Sequence, residues 1–321
     1  MPELPLRNLT AEEVEDFERD GVICARGLFA PEWIERMGAA VDRVLTAPTL
    51  LGNVVSMKND GFRGDLFLWK TDDDFRDWVY DSPASHVAQQ VLRSKTVRHF
   101  YDQLFVKPAG CHVPTPWHHD VTFWPVDVEC RSLVSLWITF DPVDRKSSGL
   151  EFVKGSHRWP GRFKAITPNY DPYMLDSDFE DLPEIDAQRD DYDLFCPDME
   201  PGDCLVFNAH VVHGSSSNYS TDKPRRAFST RWAGDGVIFE NRHATMPLLW
   251  DHGLLDGDPI GGSLFPRVLP EPIEAEGSVR RDGPEPPDPA TVQTVLTAIG
   301  DRVAKVREQE SVGPPAATEE T

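Results

Sequence analysis

Long apolar runs are missing from this chain, basic residues are outnumbered, and cysteine is sparse. No stretch approaches the roughly 18 apolar residues of a membrane span; SLVSLWITF has only the length of a strand. With 32 Lys and Arg against 54 Asp and Glu, the formal net charge is -22. That charge repels nucleic-acid phosphates and anionic lipid, so neither nucleic acid nor membrane is expected as a partner. The five cysteines, Cys24, Cys111, Cys130, Cys196 and Cys204, form an odd set without a Cys-x-x-Cys pair, which argues against a disulfide scaffold and fits a reducing compartment. The opening MPELPLRNLTAEE has neither the basic nor the apolar block of a secretory signal, so a cytoplasmic location is expected. The phosphate-cradling patterns G-x-x-x-x-G-K-[ST] and G-x-G-x-x-G are absent, as is the zinc-protease pattern H-E-x-x-H.

What remains is an ordinary globular composition over 321 residues, 40% hydrophobic and 10% aromatic, enough to bury a core. The start is helical. Thr10 and Glu13 form a capping box ahead of AEEVEDFERD, and Gly21 is placed to stop that helix. VICARGLF reads as a strand, and APEWIERMGAAVDRVL as a second helix with Pro31 in its first turn and Ile34, Met37, Val41 and Leu45 at core spacing. N-terminal helices are expected to about residue 95. From about 97 to 240 short β-rich runs follow one another between Pro, Gly and Asp: RHFYDQLFVKP, RSLVSLWITFDPV, GLEFV, DCLVFNAHVVHG and RRAFSTRWAG. They predict an antiparallel sandwich or barrel. Residues 171–203 are crowded with acids and are expected to form a long solvated insertion, either a lid or a plain surface loop. A domain over 1–272 would then be followed, over 273–321, by a Pro- and acid-rich linker, a helix carrying Val292, Val295, Leu296, Ile299 and Val303 on one face, and a disordered tail. That helix would dock on its own domain or on a neighbouring subunit, giving a homodimer in the second case.

The chemistry concentrates in TPWHHDVTFWP, residues 115–125. In an extended strand His118 and Asp120 project to one side and His119 to the other. An imidazole and a carboxylate, joined by a distant histidine, make the facial triad of non-haem Fe(II) oxygenases. FNAHVVHGSSSN offers His210 and His213, of which one can join the site if the run stays extended. In KPRRAFSTRW a strand places Arg225, Ala227, Ser229 and Arg231 on one face and Arg226, Phe228, Thr230 and Trp232 on the other. An arginine turned into a barrel needs an anionic partner, which a bound dicarboxylate would supply through a bidentate contact. The competing reading is a surface strand paired with the many acids.

These segments, taken in order, resemble the phytanoyl-CoA dioxygenase family of Fe(II)/2-oxoglutarate oxygenases. The resemblance runs through LTAEEVEDFERDGVICARGLFAPEWIERM, QLFVKPAG, PWHHD, LWITFDPVDRKSSGLEFVKGSHR, PGDCLVFNAHVVHGSSSNYS and RRAFS. It implies a mainly β fold with flanking helices, a double-stranded β-helix of jelly-roll, cupin-like form. It implies that His118, Asp120 and His213 are the metal ligands, with His119 and His210 outside the set. Arg225 matches the arginine that holds the far carboxylate of 2-oxoglutarate; Arg226 is the second candidate, because the interval from His213 is one residue longer than the family's pattern. Ser215, Trp137 and Gln103 match further positions lining the co-substrate pocket, Gln103 departing from the family's residue type there.

The implied cofactors are Fe(II) and 2-oxoglutarate. With O₂, the co-substrate would go to succinate and CO₂ while an unactivated C–H bond of a small organic substrate is oxidised. Related halogenases carry a small residue where this chain has Asp120, so hydroxylation, or dehydrogenation or rearrangement, is expected instead. Two other classes stay open: a catalytically silent ligand-binding member, and a metal-dependent hydrolase or isomerase on a cupin-like barrel. Trp117, Phe123, Trp124 and Trp232 are expected at a pocket mouth or, for at least half of them, in the core. Lys154, Arg158, Arg162 and Lys164 would either meet a negative group on the substrate or pair with the acidic insertion.

Overall fold

A computed structural model describes residues 1–56, 61–164, 166, 179–242, 245, 246, 248–270, 287, 290, 292, 293 and 297. The elements in chain order are α1 (Ala11–Asp20), β1 (Val22–Ala25), α2 (Pro31–Thr46), α3 (Leu50–Val55), β2 (Arg63–Leu66), α4 (Leu68–Thr71), α5 (Asp73–Asp81), α6 (Ala84–Leu92), β3 (Val97–Lys107), β4 (Thr115–His118), β5 (Leu133–Thr139), β6 (Leu150–Val153), β7 (Leu194–Phe195), β8 (Cys204–Asn208), β9 (His213–Ser215), β10 (Arg225–Ala233) and β11 (Arg267–Leu269).

Local chemistry sets the helix ends. The Thr10 hydroxyl accepts from the Glu13 N–H while the Glu13 carboxylate accepts from the Thr10 N–H, and Gly21 closes α1 at φ 81°, a conformation that favours glycine. In α2 the buried face is Trp33, Met37, Ala40, Val41 and Val44. Ile34 and Leu45, expected in the core, lie at its edge, because the large Trp33 ring turns the helix toward itself, 5.7 Å from Trp78.

The strands form two antiparallel sheets. The major one runs β1-β8-β5-β10-β3-β11, with β2 also on β3; the minor one runs β4-β9-β6-β7. Together they make the jelly-roll half-barrel expected from the sequence. One face of the major sheet packs on the helices: Phe228 meets Phe75 at 4.9 Å and Trp78 at 6.4 Å. The other face turns toward the minor sheet, where Trp137, Leu205, Phe207 and Ala227 form a second core with Leu150 and Phe152. The central strands therefore alternate between a helix side carrying Leu104, Leu136, Ile138 and Phe228 and a mixed inner side, which is the alternation a two-layer β fold requires.

The acidic stretch is not a free solvated loop. Leu182 and Ile185 are buried with Val153, Phe163 and Val212, β7 pairs with β6, and Met199 bridges Val143. Its few apolar residues dock it to the minor sheet despite the surrounding charge. Residues 165 and 167–178, and with them the lid reading, lie outside the described residues, as does most of the expected C-terminal helix and tail. Val292 is 4% exposed in the main core, so that position packs on the chain's own fold. No two of the five cysteines are bonded, and among the described residues no helix is long and apolar enough to cross a membrane.

Phe228 tests the layer order. Phe228→Ala is expected to destabilise the fold by about 3–5 kcal/mol in urea unfolding; a loss below about 1 kcal/mol would mean that the helices do not seal this face.

Candidate metal centre

β4 and β9 pair antiparallel with His118 directly opposite His213, so the two imidazoles leave the same face of the minor sheet, ring centroids 4.3 Å apart. β4 stops at His118, earlier than an unbroken strand through TPWHHD would. His119 is still extended, at φ -119° and ψ 145°, and Asp120 opens a single 3-10 turn. The alternation therefore survives for just the residues that need it. Asp120 turns in beside His118, and His119 turns away, its Nε2 3.3 Å from the Phe163 carbonyl.

The three side chains converge. Asp120 Oδ1 lies 3.6 Å from His118 Nε2 and 3.8 Å from His213 Nε2, and one donor atom from each residue falls within 4.8 Å of the others. What surrounds them fixes which atoms are free. His118 Nδ1 donates to the Pro116 carbonyl at 2.8 Å and His213 Nδ1 to the Val211 carbonyl at 3.0 Å. A carbonyl can only accept, so both Nδ1 atoms carry the proton and both Nε2 lone pairs face Asp120. Ser135 Oγ donates to Asp120 Oδ2 at 3.1 Å, leaving Oδ1 toward the imidazoles. Two nitrogens and one oxygen converging on one point form the donor set of a divalent transition-metal site of the facial-triad kind.

The electrostatics agree. Burial alone would raise the Asp120 carboxyl, but His118 and His213 in their protonated forms, and the charge of Arg231, hold it below the usual carboxylate range. Burial, followed by the neighbouring His118, pulls His213 down to about 3, so its imidazole is neutral and able to coordinate. His119 falls to about 3 and His210 to about 4, chiefly by burial. His210 is spent on structure, with Nε2 on the Val128 carbonyl at 2.7 Å.

Arg225 points to the inner face, 1% exposed, its guanidinium 5.6 Å over the Trp137 ring and its Nε without a partner. Burial lowers it to about 10. Arg226 faces the other way and pairs with Asp141 at 2.8 Å and with Asp42 of α2 at 2.7 Å, which removes it as the second candidate. Ser215 is buried, and Gln103 lies half-buried on the inner face of β3, opposite Ser229. One group escaped the sequence reading: Lys107, the cross-strand partner of Arg225, fully buried, with Nζ on Ser148 Oγ at 3.0 Å, Ser215 Oγ at 2.9 Å and the Ser216 carbonyl at 3.0 Å. Burial, then the Arg225 charge, pulls its amine down to about 6. The signal was available, since a Lys in phase with Gln103 and Phe105 along β3 must also point inward.

The aromatic mouth is mostly core. Trp124 and Trp232 are fully buried, Trp117 lies in an outer groove with Arg145 and Glu151, and only Phe123 stands beside the site, 5.6 Å edge-on to His118. The four basic residues are also engaged: Lys154 with Asp20 at 3.0 Å, Arg162 with Glu129 at 2.8 Å, Lys164 with Asp181 at 2.9 Å, and Arg158 with the carbonyls of Glu18 and Arg19. Pairing within the protein, and not a substrate anion, accounts for them.

Residues 17–227 match the family described as Phytanoyl-CoA dioxygenase (PhyH). The chain belongs to that family. The chain is 24% identical over 238 residues to the multifunctional dioxygenase prhA of Penicillium brasilianum, covering 66% of this chain and 68% of that one. The non-heme alpha ketoglutarate dependent carbocyclase SnoK from nogalamycin biosynthesis superposes with a TM-score of 0.67 at 19% identity, over 84% of this chain and all of SnoK. EctD from S. alaskensis, solved with 2-oxoglutarate and 5-hydroxyectoine, does so with a TM-score of 0.60 at 18% identity, over 76% and 83% of the two chains. This PhyH member is a non-haem Fe(II)/2-oxoglutarate-dependent dioxygenase.

Ser135→Ala removes the hydrogen bond that orients Asp120. The Kd for Fe(II), measured anaerobically by calorimetry, is expected to rise about 10- to 100-fold with unchanged thermal stability; an unaltered Kd would show that Asp120 needs no such support.

Proposed function

We propose that this enzyme hydroxylates an unactivated C–H bond of a small organic molecule, converting 2-oxoglutarate and O₂ to succinate and CO₂. The observation that carries the reading is the convergence of two Nε2 atoms and Asp120 Oδ1 with every other polar atom of those side chains tied back to the protein. In this reading His118, Asp120 and His213 hold Fe(II). Iron supplies the redox chemistry that no side chain can. A hydrolase or isomerase would need a general base or acid beside the metal, and Ser135, Phe123 and the tied imidazoles offer none.

The rest of the inner face receives the co-substrate. Arg225, 1% exposed and without a carboxylate partner among the described residues, takes the far carboxylate, Trp137 fixes the plane of its guanidinium, and Ser215 and Lys107 add donors. Gln103 lines the passage between that pocket and the metal. Asp120, where a halogenase has a small residue, leaves no room for a halide and favours hydroxylation. The core between the helices and the major sheet closes the side of the sheet behind the reacting centre to bulk water.

Two measurements check this. Anaerobically purified protein given Fe(II), 2-oxoglutarate and then O₂ is expected to release succinate, and Asp120→Ala to lose that activity by at least about 10²-fold; equal release by the variant would remove the metal assignment. Lys107 gives a pH signature. With its amine lowered to about 6, it is mostly neutral at pH 7 in the empty protein, while a bound dianion favours its charged form. Binding therefore takes up a proton above about pH 6, and the 2-oxoglutarate Kd should weaken as pH rises, by at most about tenfold per pH unit. Calorimetry in buffers of different ionisation heat counts that proton. Lys107→Met should flatten the profile; a wild-type Kd flat from about pH 6 to about pH 8 contradicts the role.

A further inference from the structure

Arg231 has no part in the roles above, and it is harder to explain than any of them. It shares the inner face of β10 with Arg225, opposite Tyr101 of β3 and Ser135 of β5, so it stands next to the residue that orients Asp120. The guanidinium is 3% exposed and lies 4.5 Å over the Tyr101 ring and 5.5 Å over the Phe105 ring. Nη2 donates to Gln103 Oε1 at 3.1 Å and Nη1 to the Ser229 carbonyl at 3.2 Å, while Nε is buried with no partner. Among the described residues, both of its hydrogen-bond acceptors are neutral.

A buried cation without a counter-ion is costly, and cation–π contacts only partly offset this. No described carboxylate can serve. Asp102 faces the helices and accepts from the Leu68 and Trp69 N–H groups, Asp141 is held by Arg226, and Glu151 by Arg145 and Arg189. Asp120 feels the charge of Arg231 but is engaged by Ser135 and the imidazoles. Counting charges on the inner face sharpens the point. Divalent iron, Arg225 and the Lys107 charged by co-substrate binding already exceed Asp120 and a dianionic co-substrate by one positive charge, and Arg231 adds a second in a low-dielectric volume. Gln103 and Phe105, on the same face, are only half-buried.

We propose that Arg231 binds a carboxylate of the organic substrate, with the free amide N–H₂ of Gln103 as second donor, and so restricts the enzyme to acids. The inference rests on the oxygenase reading. Tyr101 and Phe105 fix the plane of the guanidinium, its unpartnered Nε supplies the donor, and the substrate anion offsets the charge of Arg231 that metal, co-substrate and Asp120 leave unmatched. A substrate carboxylate anchored here lies on the Asp120 side of the metal, so Arg231 would set which carbon of the acid is presented to the reacting centre.

The test uses the full chain, loaded anaerobically with Fe(II) and 2-oxoglutarate. Formation of the visible metal-to-ligand absorption is recorded first; its absence in wild type removes the oxygenase reading and the inference with it. Probes are matched pairs, benzoic, cyclohexanecarboxylic and decanoic acids, each against its own carboxamide, with binding read from the change in that absorption and by calorimetry. At least one acid should bind at least about tenfold tighter than its amide. Arg231→Gln should erase the preference, Arg231→Lys should keep part of it, and both variants should retain the absorption. Three results overturn the proposal: no acid outbinding its amide, a preference that survives Arg231→Gln, or loss of the absorption in Arg231→Gln, which would assign Arg231 to the metal or co-substrate.

Discussion

His118 and His213 meet because β4 and β9 pair antiparallel with these residues opposite each other, and a slip of one residue in that register would send an imidazole to the outer face. The pairing covers few residues, so it needs help. The Phe152 and Phe207 rings pack against His213 at 5.5 and 4.9 Å, and the Cβ of any residue replacing Gly214 would lie 2.9 Å from the Thr115 carbonyl. A side chain at 214 would push β4 away, separating the two histidines. Register, aromatic packing and one close backbone approach thus hold the imidazoles together before any metal arrives.

The same face gathers an unusual amount of buried charge. Arg225, Arg231, Lys107 and Asp120 are all buried here. Such an interior is less stable than an apolar one of the same shape, and it persists where function needs it. The apolar faces carry the stability instead: Phe75, Trp78 and Phe228 on the helical side, Trp137, Phe152 and Phe207 between the sheets. The inner face is therefore mixed, its aromatic rings packing beside the buried charges, Trp137 under Arg225 among them.

Much of this was legible in the residues themselves. The capping box at Thr10 and Glu13, the Pro31 start of α2 and the period-two runs at β3, β5 and β10 each announce their element by local chemistry. Alternation also separated His119 from His118 and Arg226 from Arg225. Other features were not legible, because they depend on partners far along the chain. Leu182 and Ile185 lie in a stretch that reads as solvated by charge alone, and only Val153 and Val212 show where they dock. The four basic residues between 154 and 164 read as a patch until Asp20, Glu129 and Asp181 are placed beside them. Lys107 shows the converse: alternation did point inward, but only its cross-strand neighbour Arg225 makes that position chemically pointed.

The account stands most directly on which atoms hold the metal. An anaerobic crystal structure of the protein with Fe(II) and 2-oxoglutarate decides it. The expected result is iron bound by Nε2 of His118, Nε2 of His213 and Oδ1 of Asp120, with Ser135 still on Oδ2 and the far carboxylate of the co-substrate on Arg225 and Lys107. Iron bound elsewhere, ligation through either Nδ1, or a co-substrate carboxylate away from Arg225 would contradict it.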